Sequence, residues 1–245
     1  MRHRFLISKL CVLAAATTLA GGQAWAQRAG DFVLGAGALN YSPQDKSSPL
    51  RFTQPVEREI PGSGSSLHSA TTLGLNAHYF LTDNWAIEGV AGIPPRLKLS
   101  GTGTLERVGE LGTARLYAPS LLAKYFFGNP DDKFRISAGV GITYARFGSV
   151  RLTNGLQTTL GGALGIPPGG SSTSAKIDSR FGPVFNIGAN YAIDKDWGVT
   201  LSVSYVPMKT TAVLTTTANG NAVAKSQARL TLDPIIPFLY VTRRF

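Results

Sequence analysis

The stretch WGVTLSVSYVP, residues 197–207, decides the reading of this chain. Trp197, Val199, Leu201, Val203 and Tyr205 take every second place, and Gly198, Thr200, Ser202 and Ser204 fill the others. A period of two makes it a strand, because successive side chains of an extended backbone point to opposite faces. The unusual part is the second face. A strand packed on a water-soluble core shows Lys and Glu to solvent, whereas here the alternate row is small and almost uncharged.

The same pattern recurs. Alternation and turn signals predict eight strands, over 31–42, 67–81, 85–99, 114–127, 134–148, 177–193, 197–213 and 229–245. Three of the connections are tight and made of turn-formers: Thr82-Asp83-Asn84, Gly128 to Lys133, and Asp194-Lys195-Asp196. The four between them are long and rich in Gly, Ser, Thr and Pro. Short and long alternate strictly, as in an up-and-down barrel, where all tight turns lie at one end and an even strand count leaves both termini there. Helical periodicity is weak throughout.

The small rows fix the orientation. Gly182, Val184, Asn186, Gly188, Asn190 and Ala192 share one phase, and Arg135, Ser137, Gly139, Gly141, Thr143 and Ala145 another. Such residues suit the crowded bore of an eight-stranded barrel, so the bulky rows face out, into lipid. Tyr79, Trp85, Tyr125, Phe127, Phe134, Tyr191 and Trp197 all stand near the tight turns on the outward phase, forming an interfacial girdle. The chain is therefore expected to be all-β, an eight-stranded antiparallel transmembrane barrel.

Composition agrees. Residues 1–26 carry Arg2, Arg4 and Lys9, an apolar run from Leu10 to Ala20 and the small-x-small Ala24-Trp25-Ala26, the form of a leader cleaved after Ala26. Its apolar run is well below the roughly 18 residues of a spanning helix. Cys11, the one cysteine, falls in that leader, so the mature chain of 27–245 has no thiol for catalysis or metal. Without the leader's three basic residues the formal charge falls from +10 to +7. Export and scattered basic residues point to membrane lipid and lipopolysaccharide phosphates as partners, not nucleic acid. The terminal Phe245, preceded on its face by Arg243, Val241, Leu239, Pro237 and Ile235, approximates the signal read by the outer-membrane assembly machinery, with Arg243 as a departure.

The stretches HYFLTDNWAIEGVAGIPPRLKLSG, LLAKYFFGNPDDKFRISAGVGITYARF, NYAIDKDWGVTLSVSYVPMKTT and RLTLDPIIPF resemble the OmpW-type outer-membrane proteins, including their AlkL branch. Together they cover most of the chain beyond residue 67; segments 43–66 and 155–176 carry no such likeness. The resemblance implies a location in the outer membrane of a Gram-negative bacterium, an eight-stranded barrel with a narrow apolar lumen, and passage of small hydrophobic molecules, without a cofactor.

Sorted by distance from the tight turns, the inward phase divides in two. Asn76, His78, Glu88, Lys124, Arg135, Asn190 and Arg244 lie low and should form a polar plug, with Glu88 paired to Lys124 or Arg135. Val90, Leu116, Leu122, Val184, Val206, Met208, Ile236 and Phe238 lie higher and should form an apolar lumen. A closed floor requires another way out. Pro94, Pro95, Pro119, Pro183 and Pro207, with Pro234 and Pro237, fall inside strands at similar height, and each removes a ladder donor. They predict a sideways opening to the bilayer. Three functions remain open from the residues: a conduit, a structural or receptor-type barrel whose long loops bind lipopolysaccharide or protein partners, and, least favoured, an acyl-transferring enzyme using His78. Only His68 and His78 remain beyond the leader, and neither has a metal-binding partner spacing.

Overall fold

Along Trp197–Tyr205 the bulky row is the exposed one: Trp197 is 43%, Leu201 51% and Tyr205 43% exposed, while Thr200 and Ser202 are buried. In the computed structural model this inversion holds on strand after strand, with Ile87, Leu121, Val140, Ile142, Phe185, Ile187, Leu239 and Val241 all facing out. The structure describes residues 27–44 and 46–245, and the leader predicted over 1–26 lies outside them.

In chain order the strands are β1 (Phe32–Tyr41), β2 (Lys46–Ser47), β3 (Arg51–Gln54), β4 (Arg58–Glu59), β5 (Ser63–Leu67), β6 (Ala70–Phe80), β7 (Trp85–Gly92), β8 (Arg96–Gly103), β9 (Glu110–Tyr117) and β10 (Ser120–Phe126). Then follow β11 (Phe134–Leu152), helix α1 (Asn154–Ala163), β12 (Ser172–Ile177), β13 (Arg180–Ala192), β14 (Trp197–Tyr205), β15 (Lys209–Ala218), β16 (Asn221–Thr231) and β17 (Ile235–Arg244). Eight of them, β1, β6, β7, β10, β11, β13, β14 and β17, pair antiparallel with their chain neighbours, and β17 returns to β1. The sheet is closed and has no edge, the condition for spanning hydrocarbon with strands.

The eight predicted strands are all present, but six of them break. The spans 67–81, 85–99, 114–127, 177–193, 197–213 and 229–245 each stop and resume, around residues 68–69, 93–95, 118–119, 178–179, 206–208 and 232–234. Above the breaks the chain continues as a second storey of two sheets. One, β5–β8–β9, hangs on the upper half of β11; the other runs β12–β15–β16–β3–β4, with β2 also on β16. They meet where Ser65 N–H donates to Ser47 Oγ at 2.6 Å and Leu50 N–H to Ser63 Oγ at 2.8 Å. Helix α1, unforeseen in the sequence, caps this storey: Thr153 Oγ1 accepts from Leu156 N–H, and Leu156 and Leu160 are buried. Ten residues are too few for periodicity to outweigh glycine content, so its signal was weak.

Three apolar clusters stack along the axis. Leu50, Phe52, Leu105, Leu111, Leu156, Leu160 and Leu214 fill the upper storey. Tyr41, Leu97, Leu116, Leu122, Val184, Val206, Met208, Leu230 and Leu232 bridge the break. Val33, Phe80, Ala86 and Phe126 lie near the tight turns.

Candidate conduit and its floor

The lower bore is built on one carboxylate. Glu88, on β7, is 2% exposed; its Oε1 accepts from Asn76 Nδ2 at 2.9 Å and lies 3.0 Å from His78 Nε2, and its Oε2 lies 3.2 Å from Lys124 Nζ. Register assembles the group: His78 sits opposite Glu88 on β6, and Lys124 is diagonal to it on β10, whose Leu122 is its direct partner. Lys124 is fully buried. A charge so enclosed persists only when paired and hydrogen-bonded, and here two basic side chains and an amide converge on it. Gly35 leaves the room, since a Cβ there would collide with Asn76 Oδ1 and approach Tyr240 Cδ2 to 2.8 Å.

Of the two partners expected for Glu88, Lys124 is the one that reaches it. Arg135 turns down instead and donates to the carbonyls of Phe126 at 2.9 Å and Asp83 at 3.0 Å, tying the tight turns to the floor. Asn190 donates to Arg135 O and Ser137 Oγ and accepts from Thr200. The low end is not purely polar as expected. Phe80 and Phe126 pack at 5.0 Å between centroids beneath this layer, against His78, and the Arg135 guanidinium lies 5.4 Å from the Phe126 ring. Tyr240, 1% exposed and stacked under Phe238 at 4.4 Å, is a further floor residue. It shares the inward phase of Phe238, and its parity was the available signal.

Above the floor, Val90, Leu116, Leu122, Val184, Val206, Met208, Ile236 and Phe238 line one cavity of about 110 Å³ with Glu88 at its base. A second cavity of about 90 Å³ lies in the upper storey, walled by side chains such as Leu50, Leu67, Leu99, Phe147, Leu152 and Leu214. The cluster around Tyr41, Leu97 and Leu232 packs between the two. Sequence reasoning missed this upper chamber because Leu50, Leu152 and Leu214 lie in the long connections, where no alternation was assigned, and Leu67, Leu99 and Phe147 stand at the far ends of predicted strands.

The prolines behave unequally. Pro183 stays inside β13 opposite Ile142, and Pro237 inside β17 opposite Val203, so neither opens those seams. Across Pro207 and Pro234 the ladder is resumed by Val206 N–H to Pro234 O and Leu232 N–H to Met208 O. Two seams do part, and both change register by one residue across the break. Between β7 and β10 the lower register ends at Val90 opposite Ser120; Arg115, which it would set against Pro95, faces Arg96 instead. Between β13 and β14 it ends at Phe185 opposite Tyr205, and Ile177, due opposite Val213, faces Ala212. A slip of one residue reverses the side-chain phase, so the intervening backbone has no common ladder to join.

The second gap is filled by Met208 and Val206 against Gly182. At the first, inward-phase residues come to the surface: Ala86 and Glu88 are buried on β7 while Gly92 is exposed, and Leu122 is buried on β10 while Ala118 is exposed. Gly92, Ile93, Pro95 and Ala118 line the luminal cavity as well.

A closed eight-stranded barrel with bulky side chains outside, aromatic side chains at its tight-turn end, and the first strand starting and the last strand ending there is an outer-membrane β-barrel. The OmpW family model matches residues 28–245, and the chain belongs to the OmpW family. It is 34% identical to outer membrane protein W of Escherichia coli K12 over 207 residues, 84% of this chain and 87% of that one. Its fold is similar to the crystal structure of OprG from Pseudomonas aeruginosa, with a TM-score of 0.77, 24% identity, and coverage of 90% and 98% of the two chains. It also resembles the solid-state NMR structure of AlkL in lipid bilayers, with a TM-score of 0.61, 20% identity and coverage of 94% and 95%.

Proposed function

We propose that the protein is a passive conduit for small hydrophobic molecules, which enter the upper chamber, pass into the luminal cavity and leave sideways between β7 and β10. Such a molecule gains by moving between apolar walls, about 25 cal/mol per Å² of surface kept from water, and needs no energy input. It stops at the Glu88 layer, where it would have to displace paired charges. The bilayer is then its only apolar exit. The observation that carries this reading is the exposure of the inward-phase Gly92 and Ala118 on the cavity that also holds Leu122 and Val184. Membership of the family that includes AlkL supports it.

The test is hydrocarbon uptake by intact cells. Replacing Pro94, Pro95 and Pro119 with Val should tighten the gap and slow uptake several-fold at equal surface expression. Ala118→Cys provides the independent arm, because the sequence beyond the leader has no other thiol. Uptake should be normal before labelling and fall once a bulky maleimide is attached. Full uptake by the labelled protein overturns the lateral exit.

A further inference from the structure

The outer surface changes character abruptly on one side of the barrel. Going up β11, the outward row is Phe134, Ile136, Ala138, Val140, Ile142 and Tyr144, and the next place is Arg146. Ten residues at about 3.3 Å each and a tilt of about 40° rise about 25 Å, the height of the apolar band of such barrels. Tyr144, stacked on Phe181 at 4.8 Å, marks its outer edge.

Immediately above that edge, three neighbouring strands present five exposed cations: Arg96 and Lys98 on β8, Arg115 on β9, and Arg146 and Arg151 on β11. Register brings them together. Arg96 is directly opposite Arg115; Lys98 and Arg151 flank Thr113 from either side; Arg146 faces Tyr117, two places below Arg115 on the same face. Among the described residues, none of the five has an ion-pair partner, although the exposed Arg51 and Arg180 are paired with Glu57 and Asp178. Like charges directly opposite one another on a sheet destabilise it, so this surface favours anions from outside.

We propose that the β8–β9–β11 face is a binding site for the phosphorylated headgroup of a lipid A-type saccharolipid in the outer leaflet. The height is that of the headgroups, and the occupant must be anionic, membrane-held and able to bridge several cations about 5–8 Å apart, the spacing of direct and diagonal cross-strand neighbours. Guanidinium forks match phosphate oxygens in pairs, which is why four arginines here differ from four lysines. The site stands directly over the β7–β10 gap, since Arg96 follows Pro95 and Tyr117 precedes Ala118. Bound lipid would fix acyl chains beside that gap. The site itself does not depend on the conduit reading.

The test uses the full-length mature protein in detergent micelles, titrated with bisphosphoryl lipid A, monophosphoryl lipid A and inorganic phosphate, with bound species counted by native mass spectrometry. Wild type should bind bisphosphoryl lipid A more tightly than the monophosphoryl form. Replacing Arg96, Lys98, Arg115 and Arg151 with Gln should weaken the former at least about tenfold, the scale of one lost charge-assisted bond, and erase the difference between the two. All four positions are exposed, and a heat-dependent shift in gel mobility checks that the variant is folded. A charge-matched variant, with Lys176, Lys209, Lys225 and Arg229 of the opposite upper sheet all replaced by Gln, should bind as wild type. Unchanged affinity in the folded fourfold variant overturns the proposal. So does an equal loss in the matched variant, which would reduce the effect to net charge, and so does displacement of lipid A by millimolar inorganic phosphate, which would make the surface a free-anion site.

Discussion

Glu88 shows how a single buried residue commits a barrel. With Asn76, His78 and Lys124 all within about hydrogen-bonding reach, its carboxylate is held in place on three sides. Truncating one partner leaves an uncompensated charge, whereas replacing the pair together does not. Lys124→Ala should therefore cost about 3–5 kcal/mol in reversible urea unfolding in lipid vesicles, and the double change Glu88→Gln with Lys124→Met much less. Equal losses in the two variants would show that the site is held by packing alone. Arg243 teaches a complementary lesson. It departs from the apolar pattern of the last strand, yet its guanidinium lies 5.4 Å from the Trp197 ring and 5.0 Å from that of Phe245. A cation against two aromatic faces at the interface is favourable, so the departure is accommodated by the girdle it interrupts.

At the scale of elements, seams matter more than strands. Prolines at similar heights suggested a sideways opening, but Pro183 on its β11 side and Pro237 on its β14 side keep their register and remain paired, while the β7–β10 and β13–β14 seams part where register slips by one. A proline is visible in the sequence; the register of two segments far apart in the chain is not. Helix α1 belongs to the same lesson, since its few turns are stabilised by burial of Leu156 and Leu160 in the upper cluster. Its cap is a local contribution that can be isolated. Thr153→Ala should destabilise the helix by about 1 kcal/mol, read as faster amide exchange at Leu156 and Gln157 with barrel amides unaffected. The same change in barrel exchange would mean that the upper storey and the barrel unfold as one unit.

For the whole molecule, the outward rows define a hydrocarbon-facing cylinder and the tight-turn aromatics its lower rim. Tyr79, Trp85, Phe127, Phe134, Tyr191 and Trp197 are all exposed there, and Trp85 meets Tyr125 edge to face at 5.2 Å. Trp85 and Trp197 are the two tryptophans beyond the predicted leader. In vesicles their fluorescence should be quenched more by bromines near the headgroup than by bromines at mid-chain. Stronger mid-chain quenching would move the rims inward and remove the basis for placing Arg146 at the headgroups.

Strand number, the two classes of connection and the outward phase were all legible in the chain itself. Each follows from a period of two and from side-chain size, which are local properties. Which cation meets Glu88, which seam parts, and that the long loops build a second apolar chamber were decided only by tertiary structure. Those outcomes depend on the register between segments tens of residues apart, and closure of the sheet sets that register through all eight strands at once.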